Sequence, residues 1–343
     1  RVVFQPLGVI LSIMPWNYPF WQALRFAVPG LAAGNASLLK HASNVTGCAL
    51  AIHQAFEQAG FPAGVFTTIL PDYDTVGELI ASDLVAGVSL TGSTQVGARV
   101  AELAGRSLKK CVLELGGSDP FIVLADADLD FTVKGAVTGR MLANGQSCIA
   151  SKRFLVHRDV ADEFTAMFAA AMGALTVGDP VEEGVQVGPV VNAAALAELE
   201  DQIADAVTQG ATVECGGTRL DRPGFFLPPT VVSGVTPDMK LFREEVFGPV
   251  APVTVVADAD EAVRLANTSE FGLGGSVWTR DLARGEDLAR RVESGTLFVN
   301  SFTKSDPRMP FGGIKKSGLG RELSRYGLRE FVNVKGLSVY GHG

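Results

Sequence analysis

Residues 87–97 read GVSLTGSTQVG, an apolar run that passes through a Gly-Ser-Thr turn into a helix-like segment. The run has the composition of a buried strand, and the turn would leave the first backbone N–H groups of a helix beside the strand end. Helix-like segments separate further strand-like runs at 9–14, 37–40, 64–70, 111–115 and 121–124. This alternation predicts an α/β fold with a doubly wound parallel sheet of the dinucleotide-binding kind.

Length and composition narrow the class of protein. The chain has 343 residues, of which 47% are hydrophobic and 19% charged, so we expect a soluble globular protein of about two domains. The net charge of −8 is interspersed along the sequence without a basic stripe, which argues against nucleic-acid binding. No apolar run reaches the roughly 18 residues of a membrane span.

The four cysteines also limit the possibilities. They show neither CxxC pairing nor histidines at metal-ligand spacing, which argues against a disulfide framework and against a zinc site. We therefore expect a reducing, cytoplasmic location and no bound metal. The cysteines are Cys48, Cys111, Cys148 and Cys215.

One cysteine stands in a distinctive setting. Residues 144–150 read NGQSCIA and follow the helix-like run 131–142, so Cys148 is expected on a tight turn shaped by Gly145. A thiol on such a turn can be reached by a substrate. Most single cysteines, however, are small buried side chains, and this stretch alone leaves both interpretations open.

Two further signals suggest chemistry without proving it. Glu114 ends an apolar strand and precedes Gly116-Gly117, a setting that should raise the pKa of the carboxyl and suits a general base. The alternative is a salt-bridged glutamate at a strand end. Gly92-Ser93 at a strand–helix junction could meet a pyrophosphate, although such turns are also common in ordinary loops.

Seven motifs in register over essentially the whole chain resemble the aldehyde dehydrogenase superfamily. In chain order they are Pro15-Trp16-Asn17, Lys40, Thr91-Gly92-Ser93, Glu114-Leu115-Gly116-Gly117, Gly145-Gln146-Ser147-Cys148, Glu245-Val246-Phe247-Gly248-Pro249 and Pro310-Phe311-Gly312-Gly313. Within the superfamily, the stretches KHASN (40–44) and VLELGGSDPF (112–121) are most similar to bacterial NAD(P)-dependent succinate-semialdehyde dehydrogenases.

The resemblance implies a domain organisation. It assigns a Rossmann-type cofactor domain to residues 8–116 and an α/β catalytic domain to residues 117–325. A remnant of an oligomerisation arm at residues 1–7 would pair with a C-terminal tail at 326–343, which suggests a homodimer or homotetramer. Family members carry an additional N-terminal segment, so the cofactor domain is expected to be incomplete here.

The resemblance also implies catalytic roles. Cys148 would attack the aldehyde carbon, and the side-chain amide of Asn17 and the backbone N–H of Cys148 would stabilise the oxyanion. Glu114 would activate water to hydrolyse the thioester. Because residue 150 is alanine, we expect no redox-switch disulfide beside the nucleophile.

The cofactor residues follow from the same resemblance. Many NAD-preferring relatives carry glutamate where this chain has Ser43, and serine leaves room for a 2′-phosphate. NADP is therefore expected to be preferred over NAD. The residues assigned to this site are Trp16, Lys40, Ser43, Gly92, Ser93, Leu115, Glu245 and Phe247.

For the substrate, the resemblance assigns the carboxylate of succinate semialdehyde to Arg25 and Ser305. An arginine that mammalian relatives carry before the nucleophile is Leu142 here, and Arg140 lies on a different helix face. Three alternatives remain: a dehydrogenase for another carboxylated aldehyde such as glutarate semialdehyde, a truncated inactive assembly subunit, and a cofactor-independent thiol hydrolase.

Overall fold

A computed structural model describes residues 1–341 and divides the chain into two compact units. The first contains residues 1–115 and 305–313 and the chain from Ser317 onward, and the second contains residues 116–304 and 314–316. Among the described residues, no helix is both long enough and apolar enough to cross a membrane.

The first unit alternates strands and helices. Its strands are β1 (Val2–Pro6), β2 (Val9–Met14), β3 (Ala36–His41), β4 (Phe66–Ile69), β5 (Gly87–Thr91), β6 (Lys110–Glu114), β16 (Gly318–Leu319) and β17 (Val332–Gly336). Its helices are α1 (Pro19–Ala32), α2 (Thr46–Gln58), α3 (Tyr73–Ala81), α4 (Thr94–Arg106) and α11 (Ser324–Leu328).

Six of these strands form the sheet that organises the unit, in the order β16-β6-β5-β2-β3-β4. All neighbours are parallel except β16, which pairs antiparallel with β6. Successive residues of β2 point to opposite faces, so Ile10 packs into one apolar cluster and Leu11 into the other. Both faces are thus covered, which confirms the predicted doubly wound architecture.

The two ends of the described chain form a separate antiparallel ribbon. β1 pairs with β17, with Phe4 opposite Val334, so the predicted partner of the N-terminal strand is confirmed. Phe331 anchors the start of β17, because its buried ring lies edge-on to Phe26 at a centroid distance of 5.7 Å. The ribbon is therefore attached to the first unit by an aromatic contact.

The second unit is also α/β. Its strands are β7 (Asp119–Val123), β8 (Ser151–His157), β9 (Thr212–Cys215), β10 (Thr230–Ser233), β11 (Val250–Val256), β12 (Phe271–Gly272), β13 (Ser276–Trp278), β14 (Phe298–Val299) and β15 (Ile314–Lys315). Its helices are α5 (Leu129–Met141), α6 (Ala161–Gly173), α7 (Ala193–Thr208), α8 (Lys240–Arg243), α9 (Ala259–Asn267) and α10 (Leu282–Arg291).

A seven-stranded sheet of order β14-β13-β7-β8-β11-β10-β9 forms the centre of this unit. Only β9 runs antiparallel to its neighbour. Phe121 and Phe154 belong to the cluster that packs with α5 and α6, whereas Ile122 and Leu155 belong to the cluster with α7, α9 and α10. The apolar sequences of β7 and β8 are thus explained by burial on both faces.

Helix α3 begins at Tyr73, because Asp72 caps it by accepting from Thr75 N at 2.8 Å. One predicted domain boundary differs from the structure. Residues 305–313 and 317–325 belong to the first unit, whereas the sequence prediction assigned them to the catalytic domain.

Candidate active site

The cysteine-bearing loop of the second unit begins where α5 ends. Ala143, Asn144 and Gly145 all have positive φ values of 49°, 57° and 76°, which reverse the chain before Cys148. The loop is held from one side by Gln146, whose Oε1 accepts from the backbone N–H of Val191 at 2.8 Å. Cys148 is half-buried at the end of this turn, as the sequence predicted.

Three glycines bring backbone segments together around this loop. A Cβ on Gly145 would lie 2.0 Å from the carbonyl oxygen of Gly248, and one on Gly117 would lie 2.6 Å from that of Cys148. A Cβ on Gly116 would lie 2.5 Å from Oε2 of Glu245. The glycines of these motifs are therefore required by close approach as well as by turn geometry.

Glu245 occupies the space that Gly116 leaves open. Its Oε1 accepts from the backbone N–H of Gly117 at 3.0 Å and lies 3.4 Å from Nζ of Lys152. The Glu245 side chain is 22% exposed, so its carboxylate is held at the surface of the unit. The structure thus brings together Cys148, Gly117 and Glu245, which stand far apart in the sequence.

Three buried cations hold the main chain of this region. Arg140 donates to the carbonyl oxygens of Gly145 at 2.8 Å and Ser151 at 2.9 Å. Arg153 donates to that of Ser118 from Nε at 3.0 Å and from Nη2 at 2.9 Å. Lys152 donates to those of Ser147 and Cys148.

Burial alters the pKa values of this charged cluster. It lowers the pKa of Arg140 to about 9 and that of Arg153 to about 10. It also raises the pKa of Asp119 to about 6, although Lys152 and a hydrogen bond from Gly274 oppose the rise. The sequence prediction missed Lys152 and Arg153, because a basic pair inside an apolar strand resembles a surface edge, and it considered Arg140 only as a substrate residue.

The carboxylate in the first unit is Glu114, at the end of β6. It is 1% exposed, and its carboxylate oxygens accept no hydrogen bond from residues 1–341. Burial and the neighbouring Glu322 raise the pKa of Glu114 well above its ordinary value, while Arg25 and Arg321 oppose that rise. The pKa of Glu114 is thus raised, as the sequence predicted, and a carboxyl with a raised pKa is a stronger proton acceptor than an exposed one.

Arg25 lies on α1 within the same unit. Its Nε forms a buried ion pair with Glu322, and its Nη2 donates to Oγ1 of Thr91 at 3.5 Å. The guanidinium also lies 4.5 Å from the ring centroid of Phe311. Arg25 is thus a buried group with a charged partner, whereas the sequence prediction treated it only as a binding residue for substrate.

One of the residues predicted to bind the cofactor, Lys40, lines a cleft between α3 and α4. The cleft has a volume of about 610 Å³ and is lined by Lys40, Tyr73, Gln95, Val96 and Arg99, among others. Lys40 Nζ lies 5.2 Å from the ring centroid of Tyr73, an exposed aromatic that the sequence analysis did not single out. The cleft is large enough for the adenosine part of a dinucleotide.

The other predicted cofactor residues of the first unit have clear local positions. Ser93 is the N-cap of α4, accepting from Val96 N at 3.4 Å, and Gly92 precedes it. Leu115 packs against Gly97 of α4, where a Cβ would lie 2.4 Å from the leucine. Ser43 is exposed at the start of a 3₁₀ turn.

Each of the remaining predicted site residues lies in one of the two units. Trp16 and Asn17 lie in the first unit on the loop from β2 to α1, half-buried, and Ser305 begins that unit's segment 305–313. Phe247 lies in the second unit, between Glu245 and the close contact at Gly248.

A doubly wound unit with a cleft large enough for adenosine and an α/β unit with a half-buried thiol on a tight turn are the features expected of a dehydrogenase that uses a cysteine. The model of the aldehyde dehydrogenase family matches residues 1–337, and the chain belongs to this family. The family and the fold predicted from the motifs are therefore confirmed.

Individual proteins similar to this chain carry names that specify a substrate and a nucleotide, which the family description does not. Succinate-semialdehyde dehydrogenase [NADP(+)] 1 of Mycobacterium tuberculosis is 52% identical over 332 residues, which cover 97% of this chain and 73% of the relative. The crystal structure of succinic semialdehyde dehydrogenase from Streptococcus pyogenes in complex with NADP⁺ superposes with a TM-score of 0.96 at 40% identity, covering 99% of this chain and 75% of that one.

A third relative differs in its cofactor. The NAD-dependent aldehyde dehydrogenase of Sinorhizobium meliloti superposes with a TM-score of 0.96 at 38% identity, covering 98% of this chain and 68% of that one. The fold is therefore shared between relatives that are named for different nucleotides.

The contact at Gly117 gives a direct test of the loop geometry. Gly117→Ala would place a methyl group against the Cys148 carbonyl, so the nucleophile loop must shift. We expect kcat/KM for aldehyde oxidation to fall at least about tenfold, equivalent to about 1.4 kcal/mol of transition-state stabilisation. Steady-state kinetics of the purified variant measure this change.

The matched control is Gly105→Ala on α4, where an added Cβ meets nothing within 4 Å. Its kcat/KM should equal that of the parent. Unchanged kinetics in Gly117→Ala, with an unchanged melting temperature, would contradict the requirement for a glycine at this position.

Proposed function

We propose that this chain oxidises succinate semialdehyde to succinate with NADP as the hydride acceptor. The observation that carries the proposal is the 52% identity, over 97% of the chain, to an enzyme named for this substrate and this nucleotide. The chemistry of the described residues supports it, because the second unit presents a thiol and the first contains a proton-accepting carboxyl.

In the proposed mechanism, Sγ of Cys148 attacks the aldehyde carbon and the carbonyl π electrons move to oxygen. The Asn17 amide and the Cys148 backbone N–H donate to that oxyanion, and one such donor typically contributes about 2.7–4 kcal/mol. The hydride that leaves the same carbon would be accepted by NADP, which is the chemistry that this cofactor would supply when bound. Glu114 then takes a proton from water, which attacks the thioester and releases the thiol and the acid.

The raised pKa of Glu114 fits this role. A carboxylate with an ordinary pKa would be too weak a base to activate water efficiently, whereas burial beside Glu322 strengthens Glu114 as a proton acceptor. The rate of thioester hydrolysis should accordingly increase as the pH rises through the pKa of Glu114.

The cofactor residues fit an adenine dinucleotide phosphate. The Lys40 ammonium lines the cleft, and the N-terminal end of α4 supplies backbone N–H groups for the pyrophosphate. Ser43, which follows β3, offers a hydroxyl instead of a carboxylate to the ribose 2′-phosphate. Glu245 would bind the nicotinamide ribose and Phe247 would support the nicotinamide ring, with Trp16 and Leu115 lining the site.

We further propose that the protein is a homodimer or homotetramer. The ribbon of β1 and β17 supports this, because its apolar residues Val2, Phe4 and Val334 are exposed in the single chain. Burial of these side chains by a second copy would remove apolar surface from water.

The proposed reaction is tested by following NADPH absorbance with succinate semialdehyde. We expect turnover for the parent chain and none above background for Cys148→Ala, because no other group supplies the nucleophile. Cys111→Ala is the matched control, since Cys111 is a half-buried residue of β6, and it should retain activity. NADPH formation that persists in Cys148→Ala would exclude the thiol mechanism.

Cofactor preference is tested by Ser43→Glu. A glutamate here would repel the 2′-phosphate and could accept from the ribose hydroxyls, so the NADP/NAD ratio of kcat/KM should fall by at least about tenfold. Ser107→Glu, after the last turn of α4, is the charge-matched control and should leave the ratio unchanged. An unaltered ratio in Ser43→Glu would remove Ser43 from the determinants of cofactor choice.

Binding of the substrate carboxylate is assigned to Arg25 and Ser305. Arg25 has five N–H donors, and the ion pair with Glu322 and the contact with Thr91 leave donors for a second carboxylate. In Arg25→Gln, kcat/KM for succinate semialdehyde should fall about tenfold or more relative to that for butanal, which lacks the carboxylate.

The comparison of the two aldehydes separates binding from structure. Loss of the ion pair with Glu322 would reduce both activities together, whereas loss of a carboxylate site reduces only one of them. Equal losses for both aldehydes would show that Arg25 acts through Glu322 and does not bind substrate. Glutarate semialdehyde in the same assay tests the alternative substrate.

A further inference from the structure

We propose that Lys152 is a positioning residue for the thiol reaction, holding the Cys148 loop to Glu245 and favouring the Cys148 thiolate by its charge. This inference rests on the proposed role of Cys148 as nucleophile. It concerns a lysine inside β8, a buried parallel strand in which a cation is unusual.

The geometry of the ammonium group carries the first part of the proposal. Lys152 Nζ donates to the carbonyl oxygen of Ser147 at 2.8 Å and to that of Cys148 at 2.7 Å. The same nitrogen lies 3.4 Å from Oε1 of Glu245. The ammonium group of the fully buried Lys152 therefore contacts both Cys148, which carries the thiol, and Glu245, which is proposed to bind the nicotinamide ribose.

The distribution of charge carries the second part. In the second unit, the titratable groups that face Lys152 are Asp119 on β7, Arg140 on α5, Cys148 on the loop and Glu245 before Phe247. Arg140 is fully buried, and Asp119 also faces the buried Arg153. The cluster therefore contains three buried cations, Arg140, Lys152 and Arg153, but one buried carboxylate, Asp119, because Glu245 is partly exposed and Glu198, which faces Glu245, is exposed.

This balance favours a negative charge at Cys148. Burial lowers the pKa of Lys152, while Glu245, Asp119 and the Cys148 thiolate oppose that fall. Interactions between titrating groups are reciprocal, so the ammonium that the thiolate stabilises also stabilises the thiolate. A cation near a thiol in a site with little solvent lowers the pKa of that thiol.

A simpler role is that Lys152 only fixes the loop through its two carbonyl contacts. Such a role would change the rates of all steps at Cys148 but not the pH at which the thiol ionises. The pH profile of Cys148 alkylation therefore distinguishes the two roles. Because alkylation requires neither aldehyde nor nucleotide, it also tests Lys152 independently of the proposed substrate and cofactor.

The experiment measures the rate of iodoacetamide modification of Cys148 between mildly acidic and alkaline pH, with peptides quantified by mass spectrometry. In the parent chain, the midpoint should lie below the ordinary thiol pKa of about 8.5. In Lys152→Met, which keeps the length but removes the charge, the midpoint should rise by about one unit or more. Lys152→Arg, which keeps the charge, should retain a lowered midpoint.

Two internal references accompany each profile. Modification of Cys111 and Cys215 should be the same in all variants, because burial raises the pKa of both thiols for local reasons. The melting temperature of each variant shows whether it is folded.

Three results would overturn the proposal. The first is a parent midpoint at or above the ordinary thiol value, which needs no variant and applies even if Lys152→Met fails to fold. The second is an unchanged midpoint in folded Lys152→Met. The third is a midpoint in Lys152→Arg that rises as far as in Lys152→Met, since that would assign the effect to shape rather than charge.

Discussion

The conformation of the Cys148 loop depends on a close backbone contact at Gly117, which leaves no room for a side chain at that residue. Gly117 approaches the Cys148 carbonyl so closely that a methyl group would lie 2.6 Å from the oxygen, and Lys152 donates to the same oxygen. Gly116 similarly leaves space for the carboxylate of Glu245. One Gly-Gly pair thereby fixes both the thiol and the carboxylate, which explains why two glycines follow Leu115 at the start of the second unit.

The two units use buried charge in opposite ways. In the second unit, buried cations outnumber buried carboxylates near the Cys148 loop, an excess that would favour an anion there. In the first unit, Glu114 is buried beside Glu322, so burial and like charge favour the protonated carboxyl. A thiol that loses its proton readily and a carboxyl that takes one up readily are what thioester chemistry requires from a nucleophile and a base.

The sequence predicts well the elements whose shape depends on residues close together in the chain, and it predicts poorly the contacts between distant residues. The 9–14 strand and the turn at Gly145 agree with the apolar run and the glycine. Pairing of β1 with β17 came from the family resemblance alone, because sequence separation hides it. Lys152 was missed because Glu245, which is distant in the sequence, becomes its neighbour only in the folded unit.

Specificity is therefore easier to alter in the first unit than at the thiol. The Cys148 loop is constrained by Gly117, by Lys152 and by the Gln146 contact with Val191, so a substitution there disturbs several contacts at once. Ser43 is exposed and Ser305 is half-buried, and no comparable network surrounds either side chain in the described contacts. Substitution of Arg25 should disturb an intermediate number of contacts, because Arg25 already forms an ion pair with Glu322.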